Sequence, residues 1–189
     1  MKKLYTMLMM AMMALAFTSC EDEAIAYDLA GTWGGEMRIS TSYDGYVYNS
    51  TYTEITFDKN PYEYAQGTGT WVDYYSNAPW DYVANHITWE VNNRVIRVWF
   101  RNEGTYFEIR DYSLNSYRFQ GTIWDNGNYV EFYLTKIASP NYYNYHWDTY
   151  YVDPYWSDPY WSRTRSAADS TGVDTTATKD APVRFVNPK

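Results

Sequence analysis

Few residues in this chain belong to the types that make and break bonds at neutral pH. Of 189 residues one is a cysteine, Cys20, and two are histidines, His86 and His146. Nucleophilic catalysis needs a histidine beside a serine and a carboxylate, and no local signature puts either histidine in that company. The sequence contains no His-Glu-x-x-His, no phosphate-cradling glycine loop and no Asp-rich calcium loop. Paired carboxylates stay open, because glycosidase acids carry no short signature. The part of the chain that can fold is small for a glycosidase cleft, so a non-enzyme is expected, with no cofactor and no metal.

Aromatic chemistry is what the chain holds in excess, at 21% of residues with 23 Tyr and nine Trp. One segment concentrates it: DYYSNAPWDYVAN, Asp73 to Asn85. It breaks the surrounding alternation and carries Pro79, so Tyr74, Tyr75, Trp80 and Tyr82 fall on a loop between Asp73 and Asp81. Rings beside carboxylates and amides suit a carbohydrate, whose C–H faces stack while its hydroxyls need acceptors. The alternative is a loop folded over one end of the domain as a plug, since aromatics in a long ordered loop usually pack on something.

The N-terminus reads MKKLYTMLMMAMMALAFTSC. Lys2 and Lys3 precede an uncharged run from Leu4 to Phe17, which is shorter than the roughly 20 apolar residues of a membrane span. A charged start, a short apolar run and small residues before a cut form a signal peptide over 1–19. A buried N-terminal helix would instead show a polar face. Cys20 follows Thr18-Ser19 directly and has no second cysteine to pair with. Leu15 and the stretch Ala16-Phe17-Thr18-Ser19-Cys20 resemble the lipobox of bacterial lipoproteins, departing from its commonest form at Phe17, where Leu is usual. The resemblance implies a lipidated Cys20, its thiol diacylated and its amine often acylated (with palmitate or a similar chain), and so an outer-membrane or other envelope location; several acyl chains give stable anchoring where one does not. Glu21-Asp22-Glu23 resembles the acidic export signal of Bacteroidetes-type lipoproteins, which implies display on the cell surface; the plainer reading is an acidic tether over 20–27. Fully extended, that tether reaches about 28 Å at ~3.5 Å per residue.

The formal charge of −8 becomes −10 without residues 1–19, which hold two lysines and no acid. Nucleic acid and anionic headgroups need a basic surface, so neither is an expected partner. From Ala30 to Ile137 no helical periodicity stands out and period-two alternation recurs. Ile87, Trp89 and Val91 alternate with Thr88 and Glu90; Ile96, Val98 and Phe100 alternate with Arg97 and Trp99. Each such run offers one apolar face to a core. Turn chemistry at Asp44-Gly45, Asn92-Asn93, Asn102-Glu103-Gly104 and Asp125-Asn126-Gly127 separates the runs. Eight strands are expected, near 30–40, 46–57, 62–73, 85–91, 94–101, 104–111, 116–124 and 128–137. Short connections favour an all-β, up-and-down antiparallel barrel over 28–138, and closure removes exposed edges. An open β-sandwich is the alternative fold.

LAGTWGGEM, Leu29 to Met37, resembles the opening Gly-x-Trp strand of lipocalin-like proteins, and SYRFQGTIW, Ser116 to Trp124, resembles a late strand of the same family. The resemblance covers roughly residues 28–138 and implies an eight-stranded calyx, Trp33 closing its base, and a lumen for a small apolar molecule. An eight-stranded barrel either holds one small ligand or fills its interior with side chains. The inward set here is bulky: Trp33, Met37, Phe57, Trp89, Phe100, Phe107, Phe119 and Phe132. Bulk on nearly every strand favours a filled interior. Candidate ligand contacts are therefore Trp33 and Trp89 in the lumen, and Tyr74, Tyr75, Trp80 and Tyr82 on the loop, for a small apolar molecule or a glycan.

Residues 139–165 are rich in Tyr, Trp and Pro, and DPYWS occurs twice, at 153–157 and 158–162. Such a tract cannot form its own core. It is expected as a disordered tail or one wrapped on the barrel, with docking on an envelope partner or glycan as the sharper alternative. Residues 166–189 turn Ser/Thr/Asp-rich and are expected to be flexible. Asp169-Ser170-Thr171 and Asp174-Thr175-Thr176 resemble O-glycosylation sites of Bacteroidetes envelope proteins, which would modify Ser170 and Thr175. The oligomeric state is not legible.

Overall fold

A computed structural model describes residues 21–60, 62–101, 103–138 and 183–186. The lipidation site Cys20, the signal segment, the Tyr/Trp/Pro-rich stretch 139–165 and the candidate glycosylation sites Ser170 and Thr175 lie outside the described residues.

Residues 21–29 form a helix, α1. The strands are β1 (Gly31–Glu36), β2 (Ser40–Tyr43), β3 (Tyr46–Asn49), β4 (Tyr52–Lys59), β5 (Gln66–Tyr74), β6 (Tyr82–Asn92), β7 (Val95–Phe100), β8 (Tyr106–Leu114), β9 (Arg118–Asp125), β10 (Asn128–Lys136) and β11 (Val183–Phe185). Eight of them close a barrel in the order β1-β10-β9-β8-β7-β6-β5-β4, and β4 returns to pair with β1. All pairs are antiparallel, so the fold is the closed barrel and not the sandwich. Two-residue turns set the tightest registers. Asn126-Gly127 and Asn93-Arg94 both have positive φ, as a hairpin following the right-handed strand twist requires. The turn expected at Asn92-Asn93 is thus one residue later, with Arg94 in the left-handed region at φ 63°.

Alternation fills the barrel. All eight residues expected to point inward are buried, Trp33, Met37 and Phe119 completely. Their rings form two connected groups. Phe119 stands at the hub of one, edge-on to Phe132 at 4.9 Å, Trp33 at 5.7 Å, Tyr112 at 6.0 Å and Phe57 at 6.4 Å, and Phe57 continues to Trp89 at 5.7 Å. Trp71, Phe100 and Phe107 make the other, with centroids 5.2–6.0 Å apart. Edge-to-face contacts at this spacing are the favoured aromatic geometry.

The segment expected to be an extended tether is instead α1, docked on one end of the barrel. Ala26 and Leu29 are fully buried there, and the Leu29 carbonyl accepts the Trp33 indole N–H at 2.7 Å. Asp22 turns inward as well. Its carboxylate accepts the backbone N–H groups of Asn93 and Arg94, each at 2.9 Å, and so satisfies both donors of the left-handed β6–β7 turn. Hydrogen bonds to a charged acceptor contribute more than neutral ones. Asp22→Ala is expected to lower unfolding free energy in urea by about 1–3 kcal/mol; an unchanged transition would mean that α1 does not dock.

At the opposite end a second sheet, in the order β11-β2-β3, covers the mouth. The strand expected over 46–57 is broken at Ser50-Thr51 into β3 on this sheet and β4 in the wall, and β2 likewise splits from β1. The flexible tail expected over 166–189 contains β11, which pairs with β2 from Val183↔Ser42 to Phe185↔Ser40. β11 carries the one guanidinium buried among the described residues. Arg184 lies 4.3 Å over the Phe100 ring and pairs with Asp73 at 2.9 Å and Glu103 at 3.1 Å. Burial opposes its charge, but Glu103 and Asp73 outweigh that and raise its pKa further. Asp73 also accepts the Thr53 hydroxyl at 2.6 Å and the Trp71 indole N–H at 3.0 Å.

Candidate functional site

The residues expected to touch a ligand are drawn into the packing. Trp33 and Trp89 are buried, with their indole N–H groups donated to backbone carbonyls of Leu29 and Thr68. The loop between β5 and β6 folds back on itself, the Tyr75 N–H donating to the Asp81 carbonyl at 2.8 Å. This buries Tyr75 and Trp80 in a cluster of their own. The Trp80 ring is edge-on to Tyr43, Tyr48 and Tyr75 at 5.2–5.9 Å. Burial pushes the Tyr75 hydroxyl far above its ordinary range, and it bonds with Thr41 at 2.7 Å. Asp73, expected as an acceptor for a sugar, is occupied by Arg184, Thr53 and Trp71. The loop is therefore the plug of the alternative reading. Tyr74 and Tyr82 are half-buried and face one another across β5 and β6.

The outer wall offers a different constellation. Register places Asp58 opposite Thr68, Thr68 opposite Thr88, Thr88 opposite Trp99, and Trp99 opposite Tyr106. One row thus runs across five strands, ending on two rings 6.4 Å apart and inclined by 37°. The neighbouring row runs Gln66, Glu90, Arg97, Glu108. Between these rows and the β4–β5 connection lies a cleft of about 440 Å³. Its walls include the acceptors Asp58, Glu63 and Glu90, the amides Asn60 and Gln66, the hydroxyls Thr68 and Thr88, and the Trp99 ring.

Each part has a local cause. Trp99 points outward because Val98 and Phe100 take the inward phase of β7. Gly67 lets the buried Trp89 indole lie across the strand at the cleft; a Cβ there would stand 2.0 Å from the Asp58 carbonyl oxygen and 2.8 Å from the indole. Arg97 fixes the second row, pairing with Glu108 at 2.8 Å and Glu90 at 3.5 Å. The hydrogen bond from Arg97 is the main reason the Glu108 carboxyl lies below its usual range. Asn60 donates to Glu63 at 2.8 Å and so orders the connecting loop.

A half-exposed indole beside hydroxyls, amides and carboxylates can stack on one face of a polyhydroxylated ring while accepting and donating at its rim. Among the described residues no three His, Cys, Asp or Glu side chains gather to hold a metal ion. No helix among the described residues is long and apolar enough to cross a membrane. No protein-family profile, no curated protein and no solved structure matches this chain.

Proposed function

We propose that the chain is an envelope-anchored lipoprotein, acylated at Cys20, whose barrel binds a saccharide on its outer wall. The observation that carries the binding half is the cleft at Trp99. It has the volume of a small-ligand pocket, and it combines a stacking face with eight polar side chains, Lys59 among them. Its lining holds three carboxylates and the cation Lys59, and the adjacent Arg97 is already paired with Glu90 and Glu108, so the balance disfavours an anionic ligand and suits a neutral or amino-bearing sugar. The lumen is the weaker seat for a ligand, because eight bulky side chains occupy it. The anchoring half rests on the charged start, the apolar run and the lone cysteine.

Two measurements test the two halves. Labelled palmitate fed to the producing cell enters the protein and is lost with Cys20→Ala; label retained in that variant rules out Cys20 as the anchor. On a glycan array the mature chain binds a subset of neutral or amino sugars. Trp99→Ala weakens that binding by about 1.4 kcal/mol, roughly tenfold, while Trp80→Ala acts only through stability. Binding that survives Trp99→Ala intact moves the site elsewhere, with the aromatic stretch 139–165 as the next candidate.

A further inference from the structure

The most exposed rings among the described residues share one end of the molecule. Tyr62 is 91% exposed, Tyr117 81%, Tyr27 74% and Tyr64 71%. Tyr27 is on α1. Tyr62 and Tyr64 are in the β4–β5 connection, and Tyr117 is in the β8–β9 connection. All of these lie at the α1 end of the barrel; the small sheet and Arg184 occupy the other. Side-chain hydrogen bonds hold the two connections in shape. Asn60 Oδ1 accepts the Tyr62 N–H at 3.0 Å, and Asn115 Oδ1 accepts the N–H groups of Tyr117 and Arg118, each at 3.0 Å. The rings are therefore displayed on ordered turns.

α1 begins at this same face, where Glu21 pairs with Arg94. Cys20 is joined to Glu21 by one peptide bond, so their Cα atoms are about 3.8 Å apart. With α1 docked, the acyl chains on Cys20 begin at the barrel itself, and no extended tether separates the two. The acidic run is partly offset by neighbouring groups. Glu21 pairs with Arg94 at 3.2 Å, Glu23 with Lys59 at 3.9 Å, and Asp22 is spent on backbone N–H groups. Tyrosine is a ring with a polar tip, and it collects at membrane–water interfaces for that reason.

We infer that the α1 end is a membrane-contact face, seating Tyr27, Tyr62, Tyr64 and Tyr117 in the headgroup layer of the bilayer that holds Cys20. The inference rests on the lipidated Cys20 proposed above. It adds an orientation: the barrel axis stands off the membrane from α1 with the small sheet pointing away, and the cleft at Trp99, which shares the β4–β5 connection with Tyr62 and Tyr64, opens beside the headgroups.

Hydroxyl-radical footprinting read by mass spectrometry tests it. The chain from Cys20 to Lys189 is coupled through the Cys20 thiol to a maleimide phospholipid in phosphatidylcholine vesicles, and compared with the same chain free in solution. Oxidation of Tyr27, Tyr62, Tyr64 and Tyr117 is expected to slow several-fold on the vesicle, with Tyr46 and Tyr129 unchanged. Equal oxidation in both states overturns the inference, as does protection at Tyr46. Protection that needs an added envelope extract also overturns it and assigns the face to a protein partner. The chemical tether separates this outcome from the anchoring proposal, which fails on its own if the Cys20 peptide from producing cells carries no acyl mass.

Discussion

Arg184→Met is expected to lower the unfolding free energy by about 3–5 kcal/mol, the usual cost of removing one partner from a buried ion pair. The guanidinium is only 1% exposed and Asp73 is fully buried. Methionine fills similar space over Phe100 but leaves the Asp73 and Glu103 carboxylates without their shared cation. Most of the loss comes from those stranded charges, so Asp73→Asn in the same chain should recover part of it. Asparagine keeps an oxygen for the Thr53 hydroxyl and the Trp71 indole. Urea unfolding of the two variants measures both effects. A loss under about 1 kcal/mol for Arg184→Met would be that of an exposed pair and would mean that β11 does not close the barrel mouth.

Phe119→Ala should cost about 3–5 kcal/mol, in the range found for large aromatic truncations in cores. Phe119 is fully buried and its ring meets those of Trp33, Phe57, Tyr112 and Phe132. Four neighbours held on four separate strands cannot all collapse into the space. The variant should therefore keep a dry apolar hole, and benzene, which such holes admit, should raise its melting temperature. Benzene should leave the parent chain unchanged. A parent chain that already takes up benzene would mean that the lumen is not filled, and would restore the apolar-ligand reading.

The barrel was legible because its strands alternate cleanly. Ile87-Trp89-Val91 and Ile96-Val98-Phe100 name the inward face without any tertiary knowledge, and Asn126-Gly127 names a turn. The two ends of the barrel were not legible. The apolar positions of α1 are few and follow three acids, so Ile25, Ala26 and Leu29 do not stand out as a helical stripe. Arg184 sits in a three-residue strand after a Ser/Thr/Asp-rich stretch, and its partners Asp73 and Glu103 are 111 and 81 positions earlier in the numbering. No local pattern announces so distant a pair.

The packing of Tyr75 and Trp80 was hard to read for a related reason. The aromatic loop attracted attention because it breaks the alternation, yet a segment that interrupts a barrel edge is the one most in need of its own small core. Tyr75 and Trp80 provide it. Trp99 was passed over although its signal was present: it is a large ring on the polar phase of β7, between Arg97 and Arg101 in the outward register. An aromatic on the wet side of a strand has no core to fill, which makes it the better candidate for recognition.

The most direct measurement of the outer-wall claim is a titration of the mature chain with the strongest array ligand, followed by NMR through the nine indole N–H resonances. The Trp99 resonance is expected to move with ligand, accompanied by the backbone signals of Thr68 and Thr88. The resonances of Trp33 and Trp71, deep in the barrel, stay in place. Ligand-dependent movement of Trp71 or Trp33 with Trp99 unaffected would contradict the outer-wall claim and place recognition in the lumen.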